Sequence, residues 1–441
     1  PTEKNISLLG KRWVATDAEP SAIESLEQAL GVPNVVAQLL TNRNMSDITT
    51  AQFFLDAALD QLHDPFLMKG MKPAADRVAD AIEAGQKITI FGDYDVDGVT
   101  STALMVHFFR ELNAAIGYYL PDRKEEGYGV NEAALKQIRD EGSALVITAD
   151  CGITAVKETE YARSIGLDVI ITDHHQVGAE GLPQAVAVLN PHQPGCEYPF
   201  RFLAGVGIVF KLAAAVRRTL LERGWEKDRL PNLKQHLDLV TLGTVADLAP
   251  LIGENHLLTL HGLEAIRTSR KPGLVALKTV AGCTGRVDAF SIGFGMGPRL
   301  NAAGRLDDMS IGIACLLADS RDGLDRVQRI IHDLRVFTRL DESDRKPVAL
   351  REGVESTLAK RVADALAKEL AEHATTTGTL QEIVRELLPE LDDRTKRVFK
   401  SKDARAGAIA RTESGRAAND ARGESMNREG IERHEWATDG G

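Results

Sequence analysis

The sequence of 441 residues lacks several features that would place it in a class of proteins at once. No apolar run approaches the roughly 18 to 20 residues that a membrane-spanning helix needs. The first residues, PTEKNISLLGKRW, show no signal-peptide pattern. We find no internal repeat that would indicate a solenoid. These absences favour a globular protein that works away from the membrane.

Cysteine is scarce, and the spacing of the four cysteines excludes two further classes of protein. Cys151, Cys196, Cys283 and Cys315 form no CxxC pair. A disulfide framework or a zinc ribbon would need closer and more regular spacing. The cysteine content therefore favours a reducing cytoplasm.

Positive charge is also in deficit, because 53 Lys and Arg face 64 Asp and Glu, a formal net charge of −11. Proteins that bind nucleic acids usually carry a basic surface. The net charge does not point to such a partner. It does not exclude one, since contacts with phosphates need only a local basic groove.

The middle of the chain does contain a clear pattern, in which short β-rich runs alternate with helical segments such as 101–113 and 131–142. Near-continuous apolar strands separated by helices are typical of parallel sheets that are covered on both faces. We therefore predict an α/β fold with a parallel sheet and helices on both faces. The strand runs are KITIF (87–91), AIGYYL (115–120), ALVITAD (144–150), DVIIT (168–172) and AVAVLN (185–190).

Changes in pattern along the chain predict four regions. The first is a helical lead-in, in which SAIESLEQAL (21–30) carries the Ser/Glu pattern of a capping box. The last is polar and rich in Gly and Ala, with too little apolar surface to offset the entropy of ordering, so we expect disorder there. The regions are the lead-in (1–64), a catalytic domain (65–322), a charged helical segment (323–399) and the disordered tail (400–441).

Acidic and imidazole side chains follow three of the predicted strands at the point where each ends. The C-terminal ends of parallel strands share one edge of a sheet, where ligands bind, so we expect these groups to converge. Asp247, in GTVADLAP, is a further candidate at the end of a helical segment. The groups that follow the strands are Asp93, Asp95 and Asp97 (first strand), Asp150 (third strand), and Asp173, His174 and His175 (fourth strand).

Converging carboxylates and imidazoles form a ligand set for Mn²⁺ or Mg²⁺. The set is large enough for two ions about 3.5–4 Å apart, an arrangement that activates water for phosphoester hydrolysis. Each of these acidic or histidine motifs also has a structural explanation that involves no metal. The aspartates could cap helices or close turns, and a histidine pair could lie on the surface or in the core.

Six motifs, in this order, resemble the DHH phosphoesterases: GDYDVDGVTSTA, ITADCGI, TDHHQ, LNPHQPG, GTVADLAPL and GPRLNAAGRLDD. They are most similar to the RecJ family of single-strand-specific 5′→3′ DNA exonucleases. LHDPFLMKGM (62–71) and PDRKEEGYGV (121–130) add to the resemblance, which covers roughly residues 50–320. It implies a metal-dependent nuclease of DNA repair and recombination, with single-stranded DNA as substrate and a single-strand binding protein as a possible partner.

The resemblance also implies roles for individual residues. Asp150 matches the carboxylate that touches both metal ions, and Asp173 matches a group that orients a histidine. The implied metal ligands are Asp93, Asp95, Asp97, Asp150, His174 and Asp247. The implied catalytic residues are Asp97, Asp150, His175 and Arg299, and the implied substrate-binding residues are Arg299, Asn301, Arg305 and Tyr128. Without a role in substrate binding, Asn301 would cap a helix, Arg299 and Arg305 would be ordinary surface arginines, and Tyr128 would pack against its neighbours.

The resemblance stops before the C-terminal regions. The family continues into a DHH-associated domain and an OB-fold, which together clamp the strand, but no GGxH-like string follows residue 345 here. Two other functions therefore stay open. One is a DHH phosphodiesterase of short oligonucleotides or cyclic dinucleotides, and the other is a non-catalytic DNA-binding scaffold.

Overall fold

The computed structural model of the protein describes residues 19–121, 129–283, 285, 287–303 and 310–318. Tyr128, Arg305 and the predicted segments 323–399 and 400–441 lie outside the described residues. The boundaries of the four predicted regions therefore stay a prediction.

Three helices open the described part of the chain: α1 (Pro20–Leu30), α2 (Asn34–Thr41) and α3 (Ile48–Asp56). They share a small apolar cluster of their own, made of Leu26, Ala37, Leu40, Met45 and Ala51. The predicted capping box of α1 is wrong. Glu19 is the N-cap residue, and the Ser21 hydroxyl, one residue inside the helix, donates to the Glu19 carboxylate instead of capping a backbone amide.

Five parallel strands form the sheet: β1 (Lys87–Gly92), β2 (Ile116–Tyr119), β3 (Ser143–Ala149), β4 (Asp168–Thr172) and β5 (Ala187–Leu189). Their spatial order is β2-β1-β3-β4-β5. Ile90 of β1 pairs with Tyr118 of β2 on one side and with Ile147 of β3 on the other. The strand order reverses between β1 and β3, and the two shortest strands, β2 and β5, form the edges.

Apolar residues of the sheet alternate between two cores, because successive side chains of a strand point to opposite faces. Ile88 and Ile90 belong to the larger core, whereas Phe91 belongs to the smaller one. In β3, Ile147 lies in the larger core and Val146 in the smaller. Both faces are therefore buried, which explains the near-continuous apolar runs.

Helices cover both faces of the sheet, as the sequence predicts. On the larger core lie α4, α5 and α8, with Val78, Met105 and Val209 inside it, and the smaller core receives Leu135 of α6 and Ala162 of α7. The helices after α3 are α4 (Met71–Glu83), α5 (Val96–Glu111), α6 (Glu132–Asp140), α7 (Val156–Ser164), α8 (Gly205–Glu222), α9 (Leu237–Ala246), α10 (Gly253–Thr268), α11 (Pro272–Val280), a π-helical segment (Ser291–Met296), α12 (Gly297–Ala303) and α13 (Ser310–Leu317).

Within the described ranges, no helix combines the length and the apolar content needed to cross a bilayer.

Candidate metal centre

The acidic groups converge at the C-terminal ends of β1 and β3, where the strand order reverses. Such a reversal opens a crevice between the connections that leave the two strands. Asp93, Asp95 and Asp97 follow β1, and Asp150 follows β3 directly. Asp93, Asp97 and Asp150 are at most 4% exposed. The crevice therefore holds several carboxylates out of water.

Helix α5 begins inside this acidic cluster, five residues earlier than the sequence pattern suggests. Asp95 is its N-cap residue and accepts a hydrogen bond from Gly98 N–H through Oδ1 at 2.9 Å. Asp95 therefore does have the helix-capping role that the sequence analysis gave as the structural alternative for these aspartates. The cap uses Oδ1 of Asp95, and Oδ2 takes no part in it.

Asp97, in the first turn of α5, is held by the first turn of α8. Gly205 N–H donates to Asp97 Oδ2 at 2.7 Å, and Val206 N–H donates to Oδ1 at 2.9 Å. Amides at a helix N-terminus stabilise a carboxylate both by hydrogen bonding and through the helix dipole. This pair of contacts fixes the position of Asp97.

Asp150 ends β3 in a backbone conformation that few residues adopt. Its φ is +67°, in the left-handed region, where Asp and Asn are the commonest residues other than Gly. Such a conformation stores strain, which structures tolerate mainly at functional positions. The turn brings the Asp150 carboxylate against α8, close to Gly205.

The three residues after β4 divide into a buried anchor and two imidazoles. Asp173 accepts a hydrogen bond from Ile153 N–H at 2.8 Å and bonds His175 Nδ1 at 2.7 Å. His174 Nε2 lies 3.2 Å from Asp150 Oδ1 and 4.0 Å from Asp97 Oδ2. His174 therefore faces the acidic cluster, while Asp173 orients His175.

Asp247 joins the cluster from the C-terminus of α9, 4.0 Å from His174 Nδ1. The next residue, Leu248, adopts a left-handed φ of +60°. Leu248 N–H bonds Val245 O, and Ala249 N–H bonds Thr244 O, which is the hydrogen-bond pattern of a Schellman motif. Glycine usually occupies this position, so the leucine costs some stability in order to end α9 at Asp247.

Burial and mutual repulsion set the protonation of the carboxylates. Burial, followed by the charge of Asp95, raises the pKa of Asp93 to about 7 and that of Asp247 to about 7. Burial and the neighbouring carboxylates also raise the pKa values of Asp97 and Asp150 well above their usual range. The protein alone therefore disfavours four ionised carboxylates here, and a cation among them would reverse that.

The pKa values of the two histidines are shifted in opposite directions. Burial, followed by the charge of His175, lowers the pKa of His174 to about 4, so its ring is neutral and can act as a metal ligand. The hydrogen bond to Asp173 raises the pKa of His175 to about 9. Burial opposes the ionisation of Asp173, but the bonds with His175 outweigh it and lower the pKa of that carboxyl.

Donor atoms of the centre fall into groups that fit metal ions. Asp93 Oδ1, Asp150 Oδ1 and His174 Nε2 are buried and make no hydrogen bond to any described part of the chain. Unsatisfied buried acceptors are costly, and a bound cation would satisfy them. Among the described residues, three groups have donor atoms within 4.8 Å of one another: Asp150 with His174 and His175, Asp97 with His174 and Asp247, and Asp93 with Asp95 and Asp150.

The predicted substrate-binding residues are only partly described. Arg299 and Asn301 lie on α12, which begins where Gly297 packs against Ala246, the residue before Asp247. Arg299 Nη1 donates to Gly295 O at 2.8 Å, and its buried Nε makes no hydrogen bond within the described residues. Their phosphate-binding role stays a prediction.

Sequence reasoning missed the residues that make room for the carboxylates. A Cβ on Gly243 would lie 2.9 Å from Asp97 Oδ1 and 2.3 Å from Thr100 Oγ1, so α9 approaches α5 closely only because this residue is glycine. The amides of Gly205 and Val206 were also missed. Their signal is the small-residue start of an apolar helix, LAGVGIVF (203–210).

Comparisons with known proteins match this architecture. The model of the DHH family, N-terminal domain, matches residues 87–244. The chain is 44% identical over 309 residues to the single-stranded-DNA-specific exonuclease RecJ of Bacillus subtilis. The aligned region covers 70% of this chain and 38% of that protein. It is 44% identical over 259 residues to the protein of the same name from Escherichia coli. This aligned region covers 57% of this chain and 45% of that protein.

A crystal structure of exonuclease RecJ bound to manganese is similar at 32% identity and a TM-score of 0.57, covering 70% of this chain and 72% of that one. The chain spans less than half the length of the two curated relatives. The solved structure is nevertheless covered over 72% of its length at 32% identity, and the family model matches all five strands of the sheet. The chain therefore belongs to the DHH family, within its RecJ branch.

Proposed function

We propose that this chain is a metal-dependent exonuclease that hydrolyses phosphodiester bonds of single-stranded DNA from the 5′ end. The observation that carries the proposal is the position of Asp150 and His174, each of which belongs to two of the three donor groups. Shared ligands of this kind suit two neighbouring cations. The names of the similar proteins support the substrate and the reaction.

The donor chemistry indicates the metal and the ligands. Carboxylate oxygens with one neutral imidazole suit Mn²⁺ or Mg²⁺. Asp93, Asp95, Asp97, Asp150, His174 and Asp247 would hold two such ions, and Asp150 belongs to two of the donor groups. When bound, the ions would supply Lewis-acid stabilisation of the phosphoryl oxygens and an activated water.

The protein's own groups hold and orient these ligands. The amides of α8 keep Asp97 in one position, so its carboxylate needs no rearrangement on binding. The bond to Asp173 occupies Nδ1 of His175, which leaves Nε2 to contact the substrate. With its raised pKa, His175 carries a proton at Nε2 that it can donate to a phosphate oxygen or to the leaving oxygen.

The substrate contacts outside the metal centre are part of the same proposal. Arg299 and Asn301, on the helix that begins beside Ala246, and Arg305 and Tyr128 would hold the phosphates and the nucleotide at the scissile bond. A single-strand binding protein as partner and a cytoplasmic location remain expectations of this proposal.

The rival functions predict different products. A scaffold has no need of so complete a ligand set, and buried acids without a purpose would only destabilise the fold. An enzyme of short oligonucleotides or cyclic dinucleotides would use the same centre but prefer short substrates.

The test is digestion of single strands labelled at the 5′ or the 3′ end, in a series of lengths, with Mn²⁺ or Mg²⁺. We expect early release of the 5′ label as mononucleotides, no cutting of matched duplex, and no activity of Asp150→Asn. Asp140→Asn, a surface carboxylate in an exposed ion pair with Lys136, is the matched control. Activity confined to dinucleotides or cyclic dinucleotides would favour the short-substrate enzyme, and no hydrolysis with either metal would favour the scaffold.

A further inference from the structure

Two phenylalanines lie on the surface of the protein with their rings stacked on each other. Phe290 is 69% exposed and Phe294 is 67% exposed. Their ring centroids are 4.6 Å apart, and the ring planes are inclined by 29°. Single exposed apolar residues are common, but a stacked and exposed aromatic pair is a specific surface feature.

The local helix explains why the two rings meet in water. Phe290 is the helical residue directly before the π-helical segment, and Phe294 lies four positions later inside it, so the two side chains lie on one side. Ile292 and Met296 of the same segment are fully buried in the larger core. The inner side of the segment is therefore held in the larger core, and the two rings lie on its outer side.

The pair lies close to the candidate metal centre. The π-helical segment packs on α9, the helix that ends at Asp247. Gly297, three residues after Phe294, begins α12 where a Cβ on it would lie 3.3 Å from Ala246 Cβ. Arg299, one of the predicted phosphate contacts, follows two residues after Gly297 on α12.

We propose that Phe290 and Phe294 form a stacking platform for unpaired bases of the single-stranded substrate. This inference rests on the proposed function and adds to it a binding site for bases beside the metal centre. Every base has a π-face, so stacking on aromatic side chains tolerates any sequence. The bases of a duplex are already stacked and paired, so the platform also favours single strands over double strands.

The flat shape and location of the pair favour bases over other occupants. The two rings, 69% and 67% exposed, offer π-surface on which the flat ring of a base can stack. A nucleotide chain that has its phosphodiester at the metal centre carries further bases to both sides of the cut. The platform on the neighbouring helix receives those bases, while the cationic Arg299 lies near the backbone that joins them.

The first experiment measures binding without cleavage. Anisotropy of a fluorescein-labelled oligothymidine is followed in EDTA for the wild type, for Phe290→Ala/Phe294→Ala and for Phe290→Leu/Phe294→Leu. A second strand of equal length carries abasic sites in place of internal bases. Loss of one stacked base costs about 1–3 kcal/mol, so we expect the wild type to bind the abasic strand at least about fivefold more weakly.

The decisive readout is the ratio of the two affinities. In both double variants we expect the preference for bases over abasic sites to disappear, because leucine keeps the apolar area but has no ring. Leu260→Ala, on the exposed side of α10, is the matched control and should keep the preference. All three variants should melt near the wild-type temperature, because these side chains are exposed.

Three results would overturn the platform. One is an unchanged preference for bases in both double variants while the wild type binds and cuts single strands, which leaves the proposed function intact. A second is faster hydrogen exchange in another segment of the chain when the rings are replaced, since that segment would then be the occupant. The third is a wild type that neither binds nor cuts single strands, which would reject the proposed function as well.

Discussion

Gly205 lies so close to Asp150 that a Cβ on it would be 2.5 Å from Asp150 Oδ1. Helix α8 can therefore approach the carboxylate only with a glycine at this position. The same residue donates its N–H to Asp97. One glycine thus sets the positions of two acids that come from different strand ends.

We expect Gly205→Ala to displace the Asp150 carboxylate while keeping the N–H bond to Asp97. A misplacement of about 1 Å can cost about 10²-fold in rate, so nuclease activity should fall by about that factor. Gly207→Ala, two residues further along α8, meets only the Leu203 side chain, whose nearest atom, Cδ2, would lie 3.1 Å from the new Cβ, and is the control. Equal activities of the two variants would show that the Asp150 position is not critical. The measurement is single-turnover hydrolysis of a labelled strand.

The second prediction concerns Asp150→Asn in the absence and presence of Mn²⁺. Asparagine tolerates the left-handed φ of +67°, so the fold should be kept. Without metal, the variant should be as stable as the wild type or more stable, because a buried and repelled carboxylate has been removed. With Mn²⁺ at about 100 times its dissociation constant, the wild type should gain about 2.7 kcal/mol and the variant much less. Urea denaturation measures both, and an equal gain would remove Asp150 from the ligand set.

A third prediction concerns pH. The pKa values of Asp93 and Asp247 are raised to about 7, so the folded state binds more protons than the unfolded state between about pH 4 and pH 7. The stabilisation by these protonated acids is complete below the unfolded pKa and is lost as the pH rises through the folded pKa. Metal-free protein should therefore lose stability between about pH 4 and pH 7.

His174 opposes this trend, since its pKa of about 4 makes the folded state more stable as the pH rises toward 6.5. The four raised carboxylates should outweigh this one histidine. Asp93→Asn/Asp247→Asn should flatten the profile, which urea titrations in EDTA at several pH values would measure. A wild-type stability that rises steadily over this range would contradict the electrostatics of the centre.

The fourth prediction concerns Lys211 and Glu254, which form a buried ion pair with side chains at most 2% exposed. Lys211 Nζ also donates to His63 O, and Glu254 accepts hydrogen bonds from His63 N–H and Tyr198 Oη–H. The pair thus joins α8 to α10 and to the segment before α4. Removing one partner leaves a buried charge, so Lys211→Met should cost about 3–5 kcal/mol.

Two further variants test that explanation. Lys211→Met/Glu254→Gln removes both charges and should recover much of the loss. Arg218→Ala breaks an exposed ion pair with Asp64 and should cost at most about 1 kcal/mol. If the double variant is no more stable than Lys211→Met, the loss comes from packing and not from the unpaired charge.

The sequence alone predicted the strands of the sheet and the convergence of the acidic groups at one edge of it. Strand β4 has the predicted bounds, and the other strands differ by one or two residues at their ends, because apolar runs between helices mark buried parallel strands. The rule that such strands end at one edge then brought Asp97, Asp150 and His174 together across widely separated positions. This rule places residues at the same edge of the sheet, but it does not predict in which direction their side chains point.

What the sequence could not predict depends on long-range contacts between backbone and side chains. Gly205 donates to Asp97 across 108 positions, and nothing in either local pattern encodes that pairing. Ser21 had the spacing of a capping residue, but the helix begins two residues earlier than that spacing predicts, so Glu19 is the N-cap residue. The exposure of Phe290 and Phe294 was also beyond the pattern, since apolar residues in helical segments are normally assigned to a core.

The edges of the sheet bear on whether the sheets of two chains can associate. Edge strand β2 has four residues and β5 has three, and the longer strands β1, β3 and β4 are paired on both sides. Long unpaired edges are templates for aggregation between chains, and short ones offer few backbone groups for another strand to join. The sheet therefore protects itself against edge-to-edge association by its own strand lengths, whatever segments follow it in the chain.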